Sequence, residues 1–349
     1  MTDDRAYKVL ITGASGFIGS HLVDEALRRN WTVYAGIRKT SSQRHLRDPR
    51  IRFFYVDLNK PDQLHRDLHD FARTEGGFDY IIHNAGVTKP RDPREFITGN
   101  AEFTRAFGLA ARDTQPLLRK FLFMGSIAAL GPADVRREEI IHEDVDPAPI
   151  TPYGRSKLMA EAYLEQIADL PYVTIRPAAV YGPRDEKFVL RMIRLLERGI
   201  EVRLGPPDQA LSFIHVQDLS RLVAQACSAS HARTSYVISD GQAYGQARFN
   251  GLIKEQLGVK TVTVRIPSQV LIGVGFVAFH TMKLLGRPVH LSHFKMREVT
   301  ARNWRVDISK ARKELGFNPD YDLPSGLEHT VAWYRTLHQQ PTKKGHTVV

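Results

Sequence analysis

Residues 8–22 read KVLITGASGFIGSHL, an apolar run that leads into a glycine-rich turn and then into a helical pattern. Glycines allow the backbone to turn tightly and to approach an anion closely. A helix that begins at such a turn presents its free N–H groups to that anion. The spacing is GxxGxxG rather than the more usual GxGxxG, but its position between a strand and a helix suits the pyrophosphate of a dinucleotide. The residues assigned to this dinucleotide-binding turn are Gly13, Ser15, Gly16, Phe17, Ile18 and Gly19.

Apolar runs and helical patterns alternate along the next two hundred residues. The strand-like runs lie at residues 32–37, 52–56, 79–83, 120–124, 172–176 and 235–238. This alternation predicts an α/β fold, a Rossmann-type doubly wound parallel sheet with a smaller C-terminal substrate lobe. The predicted dinucleotide-binding domain comprises residues 1–176 and 212–239, and the predicted substrate lobe comprises residues 177–211 and 240–338. We expect the polar tail, residues 339–349, to be disordered.

The composition narrows the class of protein. The chain has 349 residues and a formal net charge of +11, from 49 Lys and Arg against 38 Asp and Glu. This basic balance favours anionic partners, although no nucleic-acid-binding motif is recognisable. The single cysteine, Cys227, excludes an intramolecular disulfide framework and a Cys-rich zinc site, and we expect no metal. No signal peptide is recognisable and no apolar run reaches the ~20 residues that span a bilayer. We therefore expect a cytoplasmic protein.

The end of the second strand bears on the choice of cofactor. An acidic residue usually holds the adenosine ribose there, but this chain has Arg38 and Lys39. An arginine can pair with a 2′-phosphate, which a carboxylate would repel. The sequence therefore favours NADP(H) as the cofactor, with NAD as the alternative. Arg38 and Lys39 could also be an exposed basic turn without a role in binding. Asp57, after the third strand, is a candidate for the adenine amino group or for an ordinary turn.

Two further segments suggest acid–base chemistry. Tyr153 and Lys157 are four residues apart, so on a helix they share one face. A free phenol has a pKa near ~10, and a nearby ammonium together with an oxidised nicotinamide lowers it. Tyr153 would then exchange a proton with a carbonyl or an alcohol. Ser126, at the end of the fifth strand, can donate a hydrogen bond to the same oxygen.

Taken in order, these motifs resemble the extended short-chain dehydrogenases/reductases, also called the NAD-dependent epimerase/dehydratase family. The resemblance extends from Val9 to about Tyr334. It rests on TGASGFIGSHL at 12–22, HNAG at 83–86, GSIAALG at 125–131, YGRSK at 153–157, RPAAVYGPRD at 176–185, FIHVQDLS at 213–220 and DISKARKELGF at 307–317.

The resemblance implies a role for each matched residue. It implies a catalytic set of Ser126, Tyr153 and Lys157 and hydride transfer at the nicotinamide ring. Asn100, at the start of a predicted helix, matches an asparagine often found beside this set, with a helix N-cap as the alternative. The implied cofactor contacts also include Leu58, Asn84, Ala85, Gly86, Pro177 and Val180, with Tyr153 and Lys157. A homodimer through the helices near residues 100–111 and 153–168 is expected by analogy.

Departures from the family pattern bear on the substrate. Sugar-nucleotide epimerases usually have Asn and Arg where this chain has Ala179 and Leu211, and dehydratases have an acidic pair where it has Ile127 and Ala128. The pattern resembles instead the 3β-hydroxysteroid dehydrogenase-like and dihydroflavonol reductase-like members. We therefore expect an NADP(H)-dependent oxidoreductase acting on a ketone or alcohol of a lipid-like small molecule. The alternatives are a nucleotide-sugar epimerase or reductase, and a non-catalytic dinucleotide-binding scaffold.

Residues 270–302 combine an apolar stretch with basic side chains. The run VLIGVGFVAF, residues 270–279, is too short to span a bilayer and is followed by Lys283, Arg287, Lys295, Arg297 and Arg302. Such a segment can rest on an anionic membrane surface and pass a lipid to the cleft. The alternative is a buried helix of the small lobe or a dimer contact.

Overall fold

The computed structural model describes residues 6–57, 59–88, 90, 92–134, 139–285 and 292–339. The strands are β1 (Lys8–Thr12), β2 (Thr32–Ile37), β3 (Arg52–Tyr55), β4 (Tyr80–His83), β5 (Lys120–Met124), β6 (Tyr172–Pro177), β7 (Ala179–Tyr181), β8 (Ile200–Leu204), β9 (Ala210–Leu211), β10 (Phe213–His215), β11 (Thr234–Ile238), β12 (Val262–Ile266) and β13 (Asn303–Trp304).

The α-helices are α1 (Phe17–Arg28), α2 (Pro61–Glu75), α3 (Arg94–Phe96), α4 (Phe103–Thr114), α5 (Pro152–Gln166), α6 (Val189–Glu197), α7 (Val216–Ser228), α8 (Gln246–Leu257), α9 (Ser268–Leu284), α10 (His293–Thr300), α11 (Ser309–Leu315) and α12 (Leu323–Gln339). A π-helical turn, Ile97–Glu102, joins α3 to α4, and a 3₁₀ turn, Ile127–Ala129, follows β5.

Seven parallel strands form the main sheet, in the order β3-β2-β1-β4-β5-β6-β11. The chain runs outward from β1 in both directions, so the topology reverses between β1 and β4. In that pair Thr12 lies opposite His83 at the carboxyl ends of the strands. Ligands of open α/β sheets bind in the crevice outside this reversal point. The predicted doubly wound fold is therefore confirmed, and the crevice at β1 and β4 is where a site is expected.

Each buried strand supplies side chains to both faces of the sheet. In β1, Val9 and Ile11 pack in one core cluster and Leu10 packs in the other. In β5, Leu122 and Phe123 divide in the same way. Because successive side chains of a strand point to opposite faces, a sheet covered on both sides needs continuous apolar runs. The sequence shows this pattern.

A third core cluster lies outside the main sheet. It contains Tyr181, Phe213 and Leu327, among residues of β7, β10, α6, α8 and α12. The division into two domains remains a prediction. Within the predicted small lobe, Trp304 and Phe317 pack in the core of the main sheet. Apart from its first residue, the expected tail at 339–349 lies outside the described residues. Among the helices that the structure describes, none is long and apolar enough to cross a membrane.

Candidate active site

The glycine-rich turn between β1 and α1 is built for close approach. Gly13 has a φ of +67°, a left-handed conformation that favours glycine. A Cβ on Gly19 would lie 2.1 Å from the carbonyl oxygen of Gly13, so a side chain there would push the helix away from the turn. Ser15, Phe17 and Ile18 remain partly exposed. The turn therefore leaves the start of α1 accessible to an anion, which fits a dinucleotide pyrophosphate.

A cavity of about 240 Å³ lies at the carboxyl ends of the strands. The predicted cofactor and catalytic residues that it brings together are Ile18, Asn84, Gly86, Ser126, Tyr153, Lys157, Pro177 and Val180. Its other lining residues are Ala178, within the predicted nicotinamide segment 177–180, and Thr88, Met124 and Gly125, to which the sequence assigned no role. The lining combines flat apolar surface with a phenol, a hydroxyl and an ammonium. This donor set fits the nicotinamide end of a dinucleotide, and we call this space the cofactor cavity.

Local capping places Tyr153 in the first turn of α5. The Oγ1 of Thr151 accepts a hydrogen bond of 3.0 Å from the backbone N–H of Gly154, and Pro152 occupies the first helical position. The Oγ of Ser126 accepts a bond of 3.2 Å from the N–H of Ala128. Ser126 and Tyr153 both line the cofactor cavity, so both hydroxyl groups face a molecule bound there.

The surroundings of Tyr153 favour the protonated phenol. Burial raises its pKa, the nearby carboxylate of Glu298 raises it further, and the hydrogen bond with Ser126 acts in the opposite direction. The expected lowering of this pKa by the Lys157 ammonium together with an oxidised nicotinamide stays a prediction. A protonated phenol is the form that can donate a proton to a carbonyl oxygen.

Lys157 is held beneath the cofactor cavity, on the same face of α5. Its Nζ donates a hydrogen bond of 2.8 Å to the carbonyl oxygen of Met124 and lies 4.7 Å from the centre of the Phe123 ring. Burial lowers the pKa of Lys157 to about 8, and the carboxylate of Glu161 opposes that shift. The side chain is therefore mainly protonated at neutral pH.

Asn100 lies inside the π-helical turn between α3 and α4, not at the start of a helix as the sequence suggested. Its Oδ1 accepts a bond of 2.7 Å from the N–H of Val87, and its Nδ2 donates to the carbonyl oxygen of Val87 and to the Oγ of Ser156. Asn100 is not among the residues that line the cofactor cavity. In this structure it fixes the loop after β4 against α5, which is a positioning role.

The buried ion pair behind Lys157 was not foreseen from the sequence. Glu161 is one turn beyond Lys157 on α5, and its Oε2 accepts bonds of 2.6 and 3.0 Å from the guanidinium of Arg176 on β6. The side chains are only 9% and 11% exposed. The other carboxylate oxygen, Oε1, is buried and has no hydrogen-bond partner among the described atoms. The spacing of four from Lys157 is the only sequence signal that could have indicated it.

The remaining predicted cofactor residues lie at the edges of the site. Arg38 and Lys39 follow β2 and are exposed. Asp57 accepts hydrogen bonds from the backbone and side chain of Asn59, so in this structure it forms a turn. The N–H of Ala85 is bonded to the Oγ1 of Thr12, which ties the loop after β4 to β1. Leu58 lies outside the described residues.

A second cavity of about 430 Å³ adjoins the first. The two cavities share Thr88 and Tyr153. The second cavity is lined by the apolar residues Pro90, Pro93, Phe96, Pro152, Phe279 and Phe294, and by the polar residues Thr151, Lys187, Arg191, Ser292, Lys295 and Glu298. Its walls come from the loop after β4, from α6 and from the α9–α10 pair. We call this space the substrate cavity, because a molecule bound in it would lie against Tyr153.

Comparisons with known proteins identify the family of this chain. The model of the NAD dependent epimerase/dehydratase family matches residues 9–239, so the chain belongs to that family, the extended short-chain dehydrogenases/reductases. It is an NAD(P)-dependent oxidoreductase.

Among curated proteins, a ceramide reductase from Caulobacter vibrioides is 26% identical over 344 residues, 98% of each chain. A decarboxylating sterol-4-alpha-carboxylate 3-dehydrogenase from Saccharomyces cerevisiae is 23% identical, over 93% of this chain and 97% of the other. A solved UDP-glucose 4-epimerase from Thermotoga maritima, with UDP-glucose, has a TM-score of 0.76 and 22% identity, over 95% of this chain and 100% of that one. The structural likeness supports the fold.

Proposed function

We propose that the protein reduces a ketone on an apolar, lipid-like substrate with NADPH, or oxidises the corresponding secondary alcohol. The observation that carries this proposal is the substrate cavity beside Tyr153. Phe96, Phe279 and Phe294 supply much of its apolar wall, together with prolines. Such a wall removes hydrocarbon from water at a gain of roughly 25 cal/mol for each Å² buried. The hydroxyl groups of a bare sugar would gain little from it.

The residues around the substrate carbonyl have separate roles. The Ser126 hydroxyl donates a hydrogen bond to the substrate oxygen and orients it. Tyr153, kept protonated by burial and by Glu298, donates its proton to the forming alkoxide. Lys157 holds the nicotinamide ribose and supplies positive charge beside the phenol as it ionises. When bound, the reduced nicotinamide supplies the hydride. The raised pKa of Tyr153 suits the reductive direction, since an acid is needed there.

Two curated relatives support the lipid-like substrate. Their names specify a ceramide and a sterol carboxylate, both largely hydrocarbon. In addition, the present protein has Ala179, the first residue of β7, and Leu211 at the positions where sugar-nucleotide epimerases usually have the Asn and Arg that bind a diphosphate. Since a lipid ketone resides in a bilayer, peripheral contact with a membrane is part of this proposal.

A nucleotide-sugar substrate is the second candidate. Lys187, just before α6, and Arg191, on α6, line the substrate cavity and could bind a diphosphate. The solved epimerase with UDP-glucose has the same fold. In this case the basic side chains would face phosphates rather than a lipid headgroup.

A substrate panel separates the two candidates. We expect the purified protein to oxidise NADPH, followed by its absorbance, in the presence of long-chain 3-keto lipids dispersed in mild detergent. The matched control is the corresponding alcohol, which should be inert with NADPH and active with NADP⁺. Turnover of UDP- or dTDP-sugars with inert lipid ketones would overturn the proposal in favour of the second candidate. Cofactor binding without any turnover would favour a scaffold.

The cofactor preference can be tested at Arg38. We expect Arg38→Asp to weaken NADPH binding by about ten- to a hundredfold, because a charge-assisted pair with the 2′-phosphate becomes a repulsion. NADH binding should be unchanged or tighter. Quenching of protein fluorescence on titration measures both affinities, and Arg66→Asp on α2, also exposed, is the matched control. Equal affinity of the parent protein for the two cofactors would contradict the NADPH assignment.

We also propose a homodimer formed by α4 and α5. Leu109, Met159 and Tyr163 on these helices are only half-buried, and the Arg105 guanidinium lies 5.4 Å from the centre of the Tyr163 ring. Pairing of this surface with a second copy would bury it. Sedimentation velocity of the purified protein tests the proposal, and a monomer at micromolar concentration would contradict it.

A further inference from the structure

The two sides of α9 have different surroundings. On one side, a Cβ on Gly275 would lie 2.9 Å from the backbone nitrogen of His293, and the Phe279 ring contacts the rings of His293 and Phe294. That side packs on α10 and lines the substrate cavity through Phe279. The opposite side carries Val270, Val274, Val277 and Leu284, which are 52–89% exposed. We call these four residues the outer face of α9.

The outer face is continuous and apolar. At 3.6 residues per turn, its four side chains lie within about 80° of one another, and Phe279 points in the opposite direction. Phe276 and Leu285 extend the exposed apolar surface on either side. Large apolar side chains exposed together mark a binding surface more often than an ordinary protein surface.

The segment of sequence that contains α9 is strongly basic. Residues 258–305 contain eight Lys or Arg and a single carboxylate, Glu298. That carboxylate is paired with Lys295 on α10. Lys260 and Arg265 before α9, and Arg297 on α10, are exposed. This segment therefore supplies most of the chain's net positive charge, next to its most exposed apolar helix.

We propose that the outer face of α9 docks on an anionic lipid bilayer, with α9 lying in the plane of the headgroups. An apolar helix face flanked by basic side chains is the pattern of an interfacial helix. A second copy of this chain is a poorer fit, because two such faces would bring their positive charges together. The inference rests on the proposed function in one respect: docking brings the α9–α10 wall of the substrate cavity to the bilayer, where a lipid ketone could enter.

Vesicle sedimentation tests this proposal with the full-length protein and without any substrate. We expect the protein to pellet with vesicles of phosphatidylcholine and phosphatidylglycerol, far less with phosphatidylcholine alone, and less at high salt, which screens the charges. The double variant Val274→Asp, Val277→Asp should bind the anionic vesicles at least about tenfold more weakly. Leu117→Asp, at an exposed leucine before β5, is the matched control and should bind like the parent protein.

The remaining outcomes either support the membrane-docking proposal or overturn it. NADPH binding by the double variant checks that it is folded, and if it is not, Arg265→Gln with Arg297→Gln should weaken vesicle binding in its place. No binding to anionic vesicles, or an equal loss in Leu117→Asp, would overturn the proposal. So would a dimer that the aspartates dissociate while vesicle binding persists, which would assign the face to a second copy. Vesicle binding by a protein that turns over no lipid ketone would leave this inference standing and reject the proposed substrate.

Discussion

Tyr153→Phe should lower kcat for ketone reduction by about 10²–10⁴-fold, the usual contribution of a positioned proton donor. The ring would keep its edge contact with Phe96, where the centroids are 5.8 Å apart. Only the phenol hydroxyl would be lost. We therefore expect a nearly unchanged affinity for NADPH and an intact fold. Steady-state rates with the best ketone of the panel, together with cofactor titration, measure both quantities.

A second tyrosine of α5 provides the matched control. Tyr163 is half-buried on the same helix and lies outside both cavities. Tyr163→Phe should leave kcat within about twofold of the parent value, since the side chain does not touch the reacting atoms. A Tyr153→Phe variant with more than a tenth of the parent activity would show that another group donates the proton. Glu298, in the wall of the substrate cavity, would then be the first group to examine.

Removal of the Glu161 carboxylate should affect both stability and pH dependence. Glu161→Leu leaves the Arg176 guanidinium buried and without its partner, which costs about 3–5 kcal/mol of unfolding free energy. It also removes the charge that opposes the lowering of the Lys157 pKa from 10.5 to about 8. Lys157 then loses its proton at a lower pH, so the alkaline fall in turnover should shift to lower pH. Urea unfolding and kcat/KM between pH 6 and about 10 measure the two effects.

A double variant separates the two effects. In Glu161→Leu with Arg176→Met both charges are removed, and we expect most of the stability to return. The pH profile should stay shifted, because the negative charge beside Lys157 is still absent. Glu186→Leu is the control for a surface pair, since Glu186 bonds Arg44 in solvent and should cost less than about 1 kcal/mol. An unshifted pH profile in Glu161→Leu would show that Glu161 has only a structural role.

The sequence predicts those parts of the site that are formed by short sequence motifs. The glycine turn, Ser126 at the end of β5 and the pair Tyr153–Lys157 each occupy a few consecutive residues or one face of a helix. The parallel sheet then brings them together, because the carboxyl ends of its strands meet at one edge.

Contacts between distant segments could not be predicted in this way. Glu161 and Arg176 meet only when α5 packs beside β6. The pKa of Tyr153 is raised by burial and further by Glu298, which is more than a hundred residues further along the chain. The apolar wall likewise combines Phe96 with Phe294. Such contacts depend on tertiary packing, which periodicity does not encode, and Asn100 was misplaced because a π-helical turn has no clear sequence signal.

Thr88 and Tyr153 are the residues that the two cavities have in common. The loop after β4 and the start of α5 line both cavities, whereas α6, α9 and α10 line the substrate cavity alone. Substitutions in α9, and in α10 other than at Glu298, would therefore alter which molecules are accepted while leaving the residues of the cofactor cavity unchanged. A new substrate specificity would then require substitutions only in the helices that line the substrate cavity, while the residues proposed to carry out the reaction stay the same.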